Sequence, residues 1–439
     1  MRFLYSWLIR CAVPFAYAAI LWRALSDRQY WQGLAERLGF GAALPAPSIW
    51  LHAVSLGEMS AAAPLLRALR LRFPEIPLVV TTATPAGRAR AAALIEGGAD
   101  IRFLPYDTPG SVRRFLKRVR PRAAIIMETE LWPNLLRECE RRGIPVLLAS
   151  ARLSAKSVTQ YRRFGSLFAG VFSKNLLVAA QSAEDAERFR SIGAAAERTV
   201  VVGNVKFDVS VDAAIAEAGR ALRVAYAGTR PVWIAGSTHA GEEEQLLDAH
   251  ALLLASTPNA VLLLVPRHKD RFAGVAELLA RRGVKFARRS RMASGAEAPQ
   301  LPSDAPVLLV DTVGELATLY ASADVAFVGG SLVPTGGHNL LEPAALGLPV
   351  LTGPSYFNGK EIAQLLLARG AALEVKNAPD LAAVLQRLLA APGMREPIGA
   401  VGKEIIAENR GSVAKLLALI EPWLPEAGLQ PAEAGRAYR

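Results

Sequence analysis

The chain of 439 residues carries only two cysteines, Cys11 and Cys139. Two cysteines exclude a disulfide framework and a cysteine-held metal cluster, and they fit a reducing compartment. Histidine is scarce too, with five in the whole chain, and no motif has metal-ligand spacing. A Walker phosphate loop and a Gly-x-Ser-x-Gly elbow are both missing. No internal repeat with matching residues is present. Acidic residues fall short of basic ones, 39 against 51, which leaves a formal charge of +12. Such a surplus implies acidic partners. There is no DNA-binding or RNA-binding signature, and the basic residues are not interleaved with exposed aromatics. An anionic membrane and a phosphorylated substrate therefore rank above nucleic acid.

Apolar residues make up 52% of the chain and charged residues 21%, the balance of a globular protein with large cores. The length suggests two or three domains. The first stretch, FLYSWLIRCAVPFAYAAILW from Phe3 to Trp22, contains one charge, Arg10, and one helix-kinking residue, Pro14. About 20 apolar residues span a bilayer, and the stretch reaches that length only by tolerating Arg10. No small-residue cleavage site directly follows its apolar core, which argues against a removed signal peptide. Arg23, Arg28 and Arg37 come after it. By the positive-inside rule they hold the following chain in the cytoplasm. Three readings stay open: a signal anchor, a helix lying in the interface, and a buried helix of the first domain.

From Ile49 onward, short apolar runs alternate with amphipathic stretches. IWLHAV, PLVVTT, AAIIM, IPVLLAS, LLVAA and TVVVG read as buried strands, and AAAPLLRALRLRF and SVRRFLKRVR as helices between them. A polar, alanine-rich stretch follows from Asp208 to Arg230. A second series then begins with RPVWIAG, AVLLLVP, PVLLVDT, DVAFVGG and LPVLTG. Two α/β domains with parallel sheets covered on both faces are expected, with ligands beyond the carboxyl ends of the strands. Ala287 to Asp304 reads as a mobile basic loop, and Val413 to Trp423 as a closing helix.

One stretch concentrates the chemistry: DVAFVGGSLVPTGGHNLLEPAALGLPVLTGP, from Asp324 to Pro354. It reads as strand, glycine-rich loop, short helix and strand. Glycines let backbone approach a ligand, and free amides at a helix start favour a phosphate. Glu342 near that start can accept hydrogen bonds from ribose hydroxyls. The plain alternative is an ordinary turn of a Rossmann-like domain.

Other motifs sit at strand ends. HAVSLGEMS puts Glu58 where a helix begins, either as a helix-start charge or as a general base. METELWPN places Glu128 and Glu130 after an apolar strand, with at least one expected to face the ligand. GNVKFD brings Lys206 to a strand end, to meet a phosphate or simply be solvated. In GSTHAGEE the hydroxyls of Ser237 and Thr238 can cap a helix, and His239 reads as a structural histidine before a catalytic one. VPRH ends a strand at Pro266, Arg267 and His268, where arginine is the better phosphate fork. DTVGELATLY sets Gly314 and Glu315 at another strand-to-helix turn. Arg113, Arg114, Lys117, Arg118, Arg120 and Arg122 form a basic run. It is open between a solvated helix face and a site for acceptor phosphates.

HAVSLGE, TTATPAG, LPYD, METELWPN, ARLS, GNVKFD, GSTHAGEE, VPRH, DTVGELATLY, FVGGSLVPTGGHNLLEP and GPSYFN occur in this order. Together they resemble the 3-deoxy-D-manno-octulosonic acid (Kdo) transferases of lipid A assembly, over nearly the whole chain. The resemblance implies the GT-B glycosyltransferase fold, an α/β arrangement of two Rossmann-like domains facing across a cleft, with an N-terminal membrane-associated helix. The expected layout is an anchor or interfacial helix over 1–25, an acceptor domain over 26–210 and a linker over 211–230. A CMP-sugar donor domain with the closing helix is expected over 231–439. The resemblance also implies inverting, metal-independent transfer of Kdo from CMP-Kdo to a lipid A precursor (lipid IVA), at the cytoplasmic face of the bacterial inner membrane. No cofactor is implied, and the partners are CMP-Kdo, the lipid A precursor and anionic inner-membrane lipids. Carried over by motif, Glu58 is the proton acceptor, and Glu128 and Lys206 stabilise the transition state. Pro266, Arg267, Val313, Gly314, Glu315, Asn339, Leu340, Leu341 and Glu342 contact CMP, with Leu340 and Leu341 contributing backbone. The rivals are a GT-B transferase using a UDP-sugar or ADP-heptose, against which METELWPN and GNVKFD count, and a non-catalytic membrane protein that binds a nucleotide sugar.

Overall fold

The computed structural model describes residues 2–95, 98–163, 165–168, 170–209, 212–292, 301–302 and 304–424. Met1 of the expected anchor, the first residue of the expected linker and half of the expected mobile loop lie outside the described residues. The chain divides into two compact units. The first joins Met1–Asp208 to Asn409–Arg439, and the second is Val209–Glu408.

The first unit is built on seven parallel strands: β1 (Ser48–His52), β2 (Leu78–Thr82), β3 (Asp100–Phe103), β4 (Pro121–Met127), β5 (Val146–Ala151), β6 (Leu176–Ala180) and β7 (Thr199–Val201). Their order across the sheet is β3-β2-β1-β4-β5-β6-β7. Successive side chains of a strand point to opposite faces. Ile49 and Leu51 of β1 accordingly pack with Leu65, Leu66 and Leu69 of the helix Ala63–Arg72. Trp50 packs on the other face with Phe115 and Leu116 of the helix Pro109–Val119. Both faces are buried, which is why the strands read as unbroken apolar runs.

The second unit repeats the plan with β8 (Val232–Thr238), β9 (Val261–Pro266), β10 (Phe286–Arg288), β11 (Val307–Leu309), β12 (Val325–Val328), β13 (Val350–Thr352) and β14 (Ala372–Glu374). The order is β10-β11-β9-β8-β12-β13-β14. Strands β3, β10 and β14 were not legible as apolar runs. They are edge strands of three or four residues, and each carries a charge.

Two expected boundaries are corrected. The stretch read as a linker over 211–230 contains the helix Ala213–Tyr226, which belongs to the second unit. Its Gly219 lies so close to Ala321 that a Cβ there would meet the alanine Cβ at 2.4 Å. Arg223 ties its far end to Asp324 at 2.9 Å. The closing helix, Ser412–Ile420, is not part of the second unit; its Leu416 and Ile420 complete the apolar core of the first. Asp208, the last residue of GNVKFD, holds that helix start by accepting the Gly411 and Val413 amides at 2.6 and 2.5 Å.

The N-terminal helix runs Arg2–Ser26. Phe3–Ser26 has a mean hydropathy of 1.5 and is long and apolar enough to cross a membrane by length and composition. Most of it is exposed, with Phe3, Trp7, Phe15 and Trp22 uncovered, so the reading as a buried helix of the first domain is overturned. It is tethered at its start. Tyr5 donates to Asp107 at 2.9 Å and Ser6 to the Asn134 amide oxygen at 2.9 Å.

Candidate active site

In the first sheet the strand order reverses between β1 and β4. Ligands of open α/β sheets bind outside the carboxyl ends of the strands at such a reversal. Glu58 and Glu128 both follow these two strands. Glu58 sits in the first turn of the helix Leu56–Ala61. Ser55 caps that helix by accepting the Glu58 amide, and the Glu58 carboxylate reaches back to accept the Val54 amide at 2.9 Å and the Ser55 hydroxyl at 3.3 Å. This is a capping box whose carboxylate reaches one residue further back than usual.

The two readings of Glu58 are therefore not exclusive, since a capping carboxylate fixed in orientation is also a base fixed in orientation. Burial and then the charge of Glu128 push its carboxyl above the usual carboxylate range, while the Val54 amide, Ser55 and the Lys206 ammonium act in the opposite direction. Glu130 joins the same group: burial first, then Glu58 and Glu128, push it up to about 7. Lys206 lies half-buried on the turn Val205–Phe207, with its backbone amide held by the Asn204 side chain at 3.0 Å. The structure thus gathers Glu58, Glu128, Glu130 and Lys206 at one sheet end. Among the described residues no set of three His, Cys, Asp or Glu side chains is arranged to hold a metal ion.

Glu128 has φ of 56°. A non-glycine residue there costs roughly 1–2 kcal/mol, and such strain persists where the surroundings over-determine it, often at functional sites. Ser150 at the end of β5 and Ser237 at the end of β8 share the conformation, with φ of 53° and 60°.

Half of the basic run departs from both readings, while Arg113, Lys117 and Arg122 are exposed, as a solvated face has them. Arg114 donates to the Leu38 carbonyl at 2.9 and 2.7 Å, Arg118 to the Gly41 carbonyl at 3.0 Å, and Arg120 to the Leu44 and Pro45 carbonyls at 3.0 and 2.6 Å. Arg114 and Arg118 also lie over the Phe40 ring. These three arginines clamp the segment before β1 onto the helix Pro109–Val119, so they are not a ready acceptor-phosphate site. Asp107 of LPYD was not singled out as a site. It is buried and accepts the Asn134 and Leu135 amides at 3.0 and 2.8 Å, besides Tyr5. Burial pushes its carboxyl up to about 6. No local signal marks it, because its partners lie far along the chain.

In the second sheet the reversal falls between β8 and β12. A small pocket of about 80 Å³ at the strand ends is lined by Ser237, Pro266, Arg267, Val313, Gly314 and Glu315, among others. The VPRH and VGE runs, more than forty positions apart in the chain, are thereby brought together. Arg267 is exposed. Glu315 is already paired, accepting Arg289 at 2.9 Å and Thr312 at 3.2 Å. Asn339 bridges the start of the helix Leu341–Leu346: its side chain accepts the Leu341 amide at 3.1 Å and donates to Glu342 at 3.1 Å. Leu340 and Leu341 are buried, which leaves only their backbone for a ligand.

The glycine loop departs from expectation. The amides of Gly330, Ser331 and Leu332 do not await a phosphate; they donate to Glu242 at 2.7, 3.0 and 3.0 Å. Glu242 is fully buried and also accepts the His239 amide at 3.2 Å. The first half of the anion cradle is filled by the protein's own carboxylate. Its neighbour Glu243 binds Thr238 at 2.8 Å and Arg271 at 2.5 and 3.0 Å. Asn358 of GPSYFN secures the second half through the Thr335 carbonyl at 2.9 Å. The motif residues Glu242 and Asn358 therefore hold the loop in place, and Glu243 ties the end of β8 to Arg271.

The family model described as "3-Deoxy-D-manno-octulosonic-acid transferase (kdotransferase)" matches residues 32–209. The 3-deoxy-D-manno-octulosonic acid transferase of Haemophilus influenzae is 40% identical over 428 residues, covering 96% of this chain and 99% of its own. That of Bordetella pertussis is 39% identical over 439 residues, with the same coverage of 96% and 99%. Among solved structures, the spinosyn rhamnosyltransferase SpnG complexed with thymidine diphosphate superposes with a TM-score of 0.50 at 13% identity, covering 86% of this chain and all of that one. That likeness speaks to the fold, which is the GT-B glycosyltransferase class. With two full-length relatives near 40% identity, this chain belongs to the 3-deoxy-D-manno-octulosonic acid transferases, and it is a glycosyltransferase.

Proposed function

We propose that this chain transfers Kdo from CMP-Kdo to a lipid A precursor, lipid IVA, with inversion at the anomeric carbon and without a metal. Glu58 takes the proton from a glucosamine hydroxyl of the acceptor. The oxygen then attacks the anomeric carbon of Kdo opposite the departing CMP, whose phosphate receives the electrons of the broken bond. Glu128 and Lys206 stabilise the transition state, and Arg267 offsets the charge growing on the phosphate. The first unit binds the acceptor. The second binds CMP through Pro266, Arg267, Val313–Glu315 and Asn339–Glu342, with Glu342 on the ribose hydroxyls. The amides of Gly330, Ser331 and Leu332 bind Glu242 instead, so the phosphate relies more on Arg267 and on the backbone from His338 onward.

The observation that carries this reading is Glu58 itself. It is a half-buried carboxylate at the reversal point of the first sheet, oriented by Val54 and Ser55, with Glu128 close enough to raise its pKa. A base raised toward neutrality is better matched to accepting a proton. The exposed apolar helix Phe3–Ser26 supports work at a membrane, which we assign to the cytoplasmic face of the bacterial inner membrane. The test is to incubate the full chain in vesicles with CMP-Kdo and lipid IVA. CMP release with a Kdo-bearing lipid supports the proposal. Equal turnover of a UDP-sugar or ADP-heptose, or no turnover of CMP-Kdo, refutes it.

A further inference from the structure

His239 and His338 meet at the reversal point of the second sheet. His239 directly follows β8, and His338 lies in the loop after β12. Their Nε2 atoms are 2.7 Å apart, and the rings meet edge to edge, near-parallel at 11° with centroids 5.0 Å apart. His268, one residue beyond Arg267, closes the group edge-on to His239 at 5.7 Å. The pair is held from beneath by one carboxylate oxygen of Glu242, which accepts both the His239 and Gly330 amides. Gly330 also leaves room for the His338 ring, whose Cδ2 a Cβ there would meet at 3.2 Å. The contact is thus built into the fold.

Two imidazole nitrogens at hydrogen-bond distance require one to donate and the other to accept. The pair can take up one further proton, on the other nitrogen of the donor ring, without breaking this contact. A second proton would set two N–H groups against each other. The charged groups facing it are Arg267, Arg271, Glu243 and His268, and Arg271 is engaged by Glu243. Burial and then Arg267 hold His338 down to about 4, and burial, His268 and the arginines lower His239. The free pair is therefore neutral, beside an exposed arginine.

We propose that His239 and His338 form a one-proton phosphate subsite for the nucleotide donor, a pair that is neutral when empty and gains a single proton from water when a phosphate monoester binds beside Arg267. The inference rests on the CMP-binding reading given above. A dianion near the pair offsets the arginine charge that keeps it neutral, so the imidazolium form becomes the favoured one. On departure of the nucleotide the proton returns to water, and the site resets.

The chain's five histidines make the test direct, because His52 and His250 are buried and serve as internal references. Full-length protein with isotope-labelled histidine is titrated by NMR alone, with CMP and with cytidine. CMP should lift the apparent pKa of the His239–His338 pair from about 4 to about 7 or above, a shift of about three units and so about a thousandfold linkage. Cytidine should not, and His52 and His250 should stay put. By calorimetry, CMP should bind more tightly as pH falls from about 8 to about 6.5, above the range where the phosphate itself, with a second pKa of about 6, becomes protonated. That slope should vanish in His239→Gln and His338→Gln. Unmoved ring signals in wild-type protein that binds CMP and transfers Kdo overturn this inference alone, as does an undiminished slope in both variants. Failure of the wild-type chain to bind CMP overturns this inference and the donor assignment together.

Discussion

The Glu242 carboxylate accepts the Gly330 amide at 2.7 Å, joining the end of β8 to the loop after β12. With Ser331, Leu332 and His239 it satisfies four backbone donors with one side chain. Burial pushes its carboxyl upward, and those four amides act against the shift. Glu242→Gln would turn one acceptor into a donor facing N–H groups. Each buried charged hydrogen bond is worth roughly 1.5–3 kcal/mol. The variant should lose several degrees of thermal stability and at least tenfold in CMP affinity. Wild-type values in both would show that the loop is held by other means.

Donor binding should reside in the second unit. Arg267→Ala and Glu342→Ala should each weaken CMP binding by about one to two decades. Arg267 is exposed, so its loss should leave thermal stability unchanged. Glu58→Ala should leave CMP affinity unchanged. Calorimetry on the three variants decides; wild-type affinity in both second-unit variants would put the nucleotide elsewhere.

The alternation of apolar runs made the two parallel sheets legible, because strands buried on both faces cannot hide among polar residues. Edge strands such as Asp100–Phe103 were not, since an edge tolerates charge. Glu58 was legible as a residue but not as part of a capping box engaging Val54. What the sequence concealed was long-range pairing. Nothing near Glu242 in the chain announces that it fills the cradle formed by Gly330, Ser331 and Leu332. Arg114 and Arg118 looked like surface charge because their carbonyl partners lie some 76 or 77 positions away. The same blindness assigned the closing helix to the wrong unit, although Asp208 caps its start.

The acid side of the pH–rate profile should follow Glu58, whose unprotonated form is the active one. Lys206 lowers its pKa and Glu128 raises it. Lys206→Gln should therefore move the acid limb of kcat/KM to higher pH, and Glu128→Gln should move it to lower pH. Both variants should also be slower. Limbs that move together, or stay where they are, would remove the electrostatic coupling from the mechanism.

Deleting residues 1–25 removes the exposed helix along with Tyr5 and Ser6, its tethers to Asp107 and Asn134. The truncated chain should fold and turn over a short-chain, soluble acceptor. Its rate on vesicle-bound lipid should fall, because the helix raises the local concentration of enzyme at the surface. An insoluble chain, inactive on both acceptors, would mean that the helix is needed by the first core.

The central claim is that Glu58 accepts the acceptor's proton. Its most direct test is the rate of Kdo transfer from CMP-Kdo to lipid IVA by Glu58→Gln, measured against wild type in the same vesicles. General-base assistance is typically worth about 10²–10⁴-fold. The account predicts a loss in that range with CMP affinity and thermal stability preserved. A rate within a factor of a few of wild type would contradict it.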